Sequence, residues 1–470
     1  MALPLLHTLS RNISLAAIAA GRYSNIRLHQ LQGNMNPTTP WTTLVNAAAS
    51  GAFLTFSGSC YYFGEALTDA LGAAAPPLGL IHTAWGGSTI QQWLSNATLN
   101  SNVCANHSSG QGNDGGWHVS RVLPYTGMTL KGWAWLQGEN NMYSTFGNST
   151  QRTGYSCLMP ALVSEWRALW SATPGTTPPL APFGVVTLAA SGSEGGRDLG
   201  SMRLAQTAGY GVLPNAAMPN TFLAQALDLD DPWSNTTCSD TKCCPYDFNA
   251  SHHKTCSGCD AYCNSTAGTS WFMGPIHPRD KQPLGARLAQ AAAVAVYGLP
   301  GAATGPTLSG CRVGAGSVTV TFSAALLDGD SVQVQAYPPA YKNVSASALA
   351  VLVDPAGFCF PSAGPRCIDD GTGSAGPNQT DSGWVYVDIA EATANSITVD
   401  LARAGGSAIY GIRYAMADET CCAHYAPTSG PCPVASCPLM GRASRLPANP
   451  FMAHISGGKC VCIPPQVCDE

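Results

Sequence analysis

Charge is what this sequence has least of: only 10% of its 470 residues are Asp, Glu, Lys or Arg. No run of Lys and Arg stands ready to neutralise a row of phosphates, so nucleic acid is not an expected partner. The 22 basic and 27 acidic residues leave a net charge of −5, and 45% of the chain is apolar, which excludes a disordered polyelectrolyte. Long apolar runs are also lacking. None approaches the roughly 20 residues needed to cross a bilayer, so no membrane span is expected. The opening MALPLLHTLSRNISLAAIAAG has no basic leader, and His7, Arg11 and Asn12 break its apolar stretch. It does not read as an export signal.

Cysteine, by contrast, is abundant: there are 19, ten of them between Cys311 and Cys468. That number points to an oxidising compartment. Glycosylation sequons starting at Asn12, Asn96, Asn106, Asn148, Asn235, Asn249, Asn264, Asn343 and Asn378 point the same way. The expected setting is the secretory pathway, secreted or lysosomal or vacuolar, with N-linked glycans. A chain with these features and no export signal is expected to lack its first residues.

Four apolar runs read as buried strands: Leu78 to Trp85, Leu130 to Leu136, Phe183 to Ala189 and Thr221 to Leu227. Helical patterns lie between them. In CLMPALVSEWRALW, Leu158, Leu162, Trp166 and Leu169 recur at helical spacing, with Pro160 expected near the helix start. A last helix is expected from about Pro278 to Tyr297, closed by Gly298 and Pro300. Strand and helix alternate, which implies a parallel sheet flanked by helices that binds ligands beyond the carboxyl ends of its strands. Polar or glycine-rich clusters follow three of the runs directly: Gly86-Gly87-Ser88-Thr89, Gln137-Gly138-Glu139-Asn140-Asn141 and Asp228-Leu229-Asp230-Asp231. They are expected to converge in one cleft.

Beyond Gly301 the texture changes to short alternating segments such as SVTVTF, SVQVQAY, GWVYVDI and SITVDL, the pattern of an antiparallel β domain. The boundary is expected in GLPGAATGPT, residues 298 to 307, giving an α/β domain over 1–303 and a β-rich domain over 304–470. A cysteine-rich insertion occupies 233–272. His252 and His253 beside Cys256 and Cys259 permit zinc, but six cysteines among three sequons favour disulfides, and neither a metal nor a cofactor is expected.

In such a sheet a lone His-Pro just before the last helix offers a general base, His277; the alternative is a histidine that merely caps that helix. A wider pattern surrounds it. GLIHTAWGGSTIQQW, LKGWAWLQGENN, MPNTFLAQALDLDD and IHPRDKQPLGARL together resemble the blocks of sialate O-acetylesterases, a family of SGNH-type hydrolases, from Met1 to about Tyr297, with an echo in LPANPFMAHI. The resemblance implies a serine that attacks an acetyl ester on a sugar while a histidine relays the proton. It makes His277 the base. Gly86 or Gly87 would offer an oxyanion N–H, and Gln137 or Asn141 the side-chain donor. Glu139, Arg203 and Gln206 would contact substrate, although Gln137 and Glu139 can also be a buried network and Arg203 a structural residue. Where the usual pattern has an acid, three residues before the histidine, this chain has Gly274. Asp231 is taken as the third member, with Asp228, Asp230 or a backbone carbonyl as alternatives.

The family's nucleophile, in GQSNM, would fall three residues before Met1. QGNM at Gln32 to Met35 has the motif's look without its serine. Ser10, Ser14, Ser57 and Ser59 are poorly placed, and Ser88 shares the turn that must present the oxyanion amide. The implied activity is therefore hydrolysis of acetylated carbohydrate by the family, with this chain lacking the nucleophile. The alternative is a carbohydrate-binding pseudoenzyme.

Overall fold

The computed structural model describes residues 3–30, 40–104, 112–141, 149–189, 199–229, 276–336, 348–354, 383–416, 420–421 and 433–462. The expected insertion over 233–272, with Asp230 and Asp231 beside it, lies outside the described residues.

Each apolar run becomes a strand, shorter than the run itself. β1 (Ile26–Gln30), β2 (Thr42–Thr43) and β3 (Leu78–His82) form one sheet in the order β2-β1-β3. β4 (Trp133–Leu136), β5 (Phe183–Val186) and β6 (Thr221–Ala224) form another in the order β4-β5-β6. β3 runs parallel to β1, and β4, β5 and β6 are parallel throughout, while β2 is antiparallel. The sheet expected as continuous is thus in two pieces among the described residues. The pieces share their surroundings: Ile81 packs with Trp133 and Trp135 on one core, and Leu78 packs with Leu136 on another. No ladder joins β3 to β4, and Gly79 and Ala134 on these strands are exposed.

Helices cover both faces. α1 (Arg11–Ala19), α2 (Gly58–Leu71), α3 (Ser149–Trp170), α4 (Leu199–Ala205) and α5 (Gln282–Ala295) are the ones that position the site. α3 lays Leu158, Leu162, Trp166 and Trp170 against Trp93, Trp135 and Phe183, with Trp135 and Trp166 meeting edge to face at 5.6 Å. A buried aromatic of this kind is worth about 3–5 kcal/mol against truncation to alanine. The helix starts well before the expected point, at Ser149, so Pro160 sits in its interior. The apolar stripe around Pro160 holds the helix together despite the lost backbone donor.

α5 buries Leu284, Leu288, Ala289, Ala291 and Ala292 on the side that meets Val186, Phe222 and Ala224. It crosses α2 so closely that a Cβ on Gly285 would lie 2.5 Å from the Tyr62 backbone carbon. Its start also departs from expectation. Pro283, not Pro278, occupies the first turn and Lys281 is the N-cap, so His277 lies in an irregular segment ahead of the helix and does not cap it.

The carboxyl-terminal residues form a nine-stranded sheet in which every pair is antiparallel. SVTVTF alternates inward and outward as its period predicts, with Val318, Val320 and Phe322 buried. Disulfides join Cys104 to Cys157, Cys311 to Cys460 and Cys421 to Cys437. This β region packs on the α/β part at the end of β6. Leu227 enters its core, Gln225 Nε2 donates to Asn449 Oδ1 at 2.9 Å, and the Ala435 N–H donates to Asp228 Oδ2 at 2.5 Å.

Candidate active site

At the carboxyl end of β3 the chain leaves the sheet and turns through Ala84–Gly87, all exposed. Gly87 has φ +76°, and a Cβ there would meet open space, so conformation rather than crowding calls for glycine. The turn is pinned from beneath. Ser88 Oγ donates to the Trp85 carbonyl and accepts from Trp93 Nε1, each at 2.9 Å. Thr89 and Gln92 then form a capping box that opens the next helical turn. Ser88 is a buried hydroxyl engaged on both sides by the protein.

The end of β4 is bolted to this turn. Gln137 Nε2 donates to the Ser88 carbonyl and to Asn141 Oδ1, both at 2.8 Å, while its Oε1 accepts from Tyr155 at 2.8 Å. Asn141 accepts from the Ile90 N–H at 3.0 Å and donates through Nδ2 to Gln91 Oε1 at 2.9 Å. Both N–H groups of Gln137 are therefore engaged with the protein. Asn141 keeps the second N–H of its amide, which makes it the stronger donor of the two. Between them Gly138 adopts φ +153°, with Met202 Cε only 2.8 Å from where a Cβ would stand. That tight turn delivers Glu139 inward.

Glu139 Oε1 lies 3.7 Å from His277 Nδ1, and both side chains are buried. Burial alone would raise the Glu139 carboxyl. The neighbouring His277 acts against burial, and the carboxyl is held below its ordinary value. Glu139, expected from the sequence to contact substrate, lies beside the imidazole, where it can fix the ring.

The remaining predicted residues fall elsewhere. Arg203 is 1% exposed and donates to the Leu188 and Ala189 carbonyls, and Gln206, fully buried, donates to the Gln137 carbonyl and accepts from the Leu188 N–H. They tie the ends of β4 and β5 together. Asp228 makes a buried two-point ion pair with Arg287, at 2.5 and 2.7 Å, and is committed to that pair. Asp231, the expected third member, is outside the described residues. Among the described residues no three His, Cys, Asp or Glu side chains are grouped to hold a metal, and no helix is long and apolar enough to cross a membrane.

A family model described as "Sialate O-acetylesterase C-terminal domain" matches residues 366–455. Proteins named sialate O-acetylesterase from Pongo abelii and Homo sapiens are 28% and 27% identical over 422 residues, covering 86% of this chain and 62% of theirs. Over most of its length the chain is thus similar to proteins named sialate O-acetylesterase. A third relative of that name, from Rattus norvegicus, is 30% identical over 285 residues, 53% of this chain and 44% of its own length. The chain therefore spans about three fifths of the length of the first two relatives. A crystal structure described as a novel carbohydrate acetylesterase from Xanthomonas citri superposes with a TM-score of 0.59 at 18% identity, over 96% of this chain and 78% of that one. That likeness supports the fold: a parallel α/β part followed by an antiparallel β part.

Proposed function

We propose that this protein carries out the chemistry its relatives' names describe, hydrolysis of acetyl esters on sugars by a serine–histidine mechanism. The observation that carries the reading is the buried Glu139–His277 pair at the carboxyl ends of parallel strands. In this scheme a serine Oγ attacks the acetyl carbonyl as His277 takes its proton. The oxyanion is met by an N–H of Gly86 or Gly87 and by the remaining amide N–H of Asn141. His277 then gives the proton to the departing sugar oxygen, leaving an acetyl-serine. A water molecule, deprotonated by His277, releases acetate and restores the serine.

The serine is proposed to come from a GQSN stretch ahead of Leu3. Two features support that placement. The Leu3 carbonyl accepts from the Gly58 N–H at 2.8 Å and the Leu9 N–H donates to the Arg279 carbonyl at 3.2 Å, so the opening segment runs beside the segment that holds His277. β3 and β4, moreover, share both cores without pairing, which leaves edges for a further parallel strand ending at the site. The three disulfides support an oxidising compartment, and exposed Asn12 and Asn96 are proposed to carry glycans. The α/β domain is proposed to end near residue 303, since α5 closes at Ala295 and the first strand of the carboxyl-terminal sheet opens at Leu308.

The engagement of Ser88 favours one rival, a sugar-binding protein without a nucleophile. An acetyl-ester assay separates the two readings when run on this chain, on a version extended with GQSN, and on that version with its serine changed to alanine. The proposal expects turnover only in the second. No turnover in the second, with sugar binding retained, establishes the rival.

A further inference from the structure

Trp85 stands on the outer side of the turn that presents Gly86 and Gly87, and it is 49% exposed. An indole in water is costly to leave uncovered, yet this one is held rather than loose. Its ring lies 4.8 Å from that of Trp117, tilted by 33°. The Arg121 guanidinium, only 5% exposed, packs 4.4 Å from the centre of the Trp85 ring and 5.0 Å from that of Trp117. Arg121 is itself anchored by Nη1 donating to the Thr83 carbonyl at 3.0 Å, while its Nε is buried without a partner among the described residues. The result is a braced aromatic surface within two residues of the proposed oxyanion amide.

We propose that Trp85 is the stacking platform for the pyranose ring that carries the acetyl group, a sugar subsite next to the reacting centre. The inference rests on the acetyl-ester reading above and names what positions the sugar. One face of a pyranose is a plane of C–H bonds with slight positive charge, and the electron-rich face of an indole meets it well while both shed water. Bracing by Trp117 and Arg121 means that little freedom is lost when the sugar arrives, which favours affinity. Arg121 acts here as a positioning residue, since it contacts the indole from the protein side. Continuity with the Gly86-Gly87 turn selects this occupant over an unrelated protein surface: a ring stacked on Trp85 brings its own acetyl oxygen toward the amides two residues away.

The test is binding, which needs no nucleophile. The chain of this sequence is titrated calorimetrically with methyl 6-O-acetyl-glucopyranoside and, as a ring-free acetyl ester, with glycerol triacetate. Trp85→Ala is expected to raise the Kd for the pyranose about tenfold, with Trp85→Phe falling between it and the unmodified chain, and the preference for pyranose over triacetate is expected to collapse in Trp85→Ala. A pyranose Kd within twofold of the original in Trp85→Ala overturns the proposal. So does an equal loss for both ligands, which would make Trp85 a support for the turn, or failure of the unmodified chain to bind the pyranose at all. Failure of the esterase reading looks different: pyranose binding that depends on Trp85, with no hydrolysis in the GQSN-extended version.

Discussion

Replacing Glu139 by Gln keeps the size of the side chain and removes its charge. The carboxylate stands 3.7 Å from His277 Nδ1 in a buried setting, where an effective dielectric near 20 gives a gross attraction to an imidazolium of about 4 kcal/mol. Part of that is offset, because the neutral amide still offers an oxygen to the ring, so the imidazolium formed during acyl transfer loses about 2–4 kcal/mol of stabilisation. The turnover number of the GQSN-extended protein on an acetylated sugar is then expected to fall about 30-fold to 1,000-fold. Glu139→Asp, one methylene shorter, is expected to fall between. Circular dichroism and thermal unfolding report whether the variant keeps its fold. If folded Glu139→Gln retains more than half of its turnover, the imidazole is oriented by another group and the pairing read here is incidental.

Other consequences follow from the same contacts. Because the Glu139 carboxyl is held below its ordinary value, the stability it contributes is present at neutral pH and is lost as pH falls through the lowered value. Glu139→Gln should abolish that loss in denaturant titrations at stepped pH. Asp228→Asn should destabilise the fold by about 3–5 kcal/mol by leaving Arg287 buried and unpaired, measured by urea unfolding. Turnover per folded GQSN-extended molecule should fall less than fivefold; a 1,000-fold fall would make Asp228 part of the triad. Gly285→Ala forces a methyl group against the Tyr62 backbone and is expected to cost about 2–3 kcal/mol, whereas a stability within 0.5 kcal/mol of the original would show that α2 and α5 can separate freely.

Local signals carried the architecture further than they carried the site. The apolar runs marked β5 and β6, buried at every position, because a strand buried on both faces needs an unbroken apolar stretch; β3 and β4 carry the same texture although each keeps an exposed residue, and SVTVTF marked its strand by a period of two. Strand ends were overestimated because Leu188, for instance, stays apolar and buried after the ladder stops, its N–H taken by Gln206. Pro278 was read as the helix start because it precedes a helical pattern, but a second proline at 283 fills that place and leaves His277 outside the helix. The polar clusters after β3 and β4 do meet, through Ser88, Gln137 and Asn141. The role of Glu139 was hidden, since its partner lies 138 residues later and no spacing rule reports such a pair. The backbone contacts of Arg203 and Gln206 were hidden for a related reason: a polar side chain bound to backbone carbonyls looks the same in sequence as one that awaits a ligand.

The most direct measurement is the turnover number of His277→Ala in the GQSN-extended protein, on an acetylated sugar, with its fold checked by circular dichroism. Loss of a general base alone costs about 100-fold to 10,000-fold, and coupling to the serine enlarges the loss. The account predicts a folded protein with turnover reduced by at least 1,000-fold. A folded variant that keeps more than a tenth of the original turnover would contradict it, because the Glu139–His277 pair would then stand outside the chemistry.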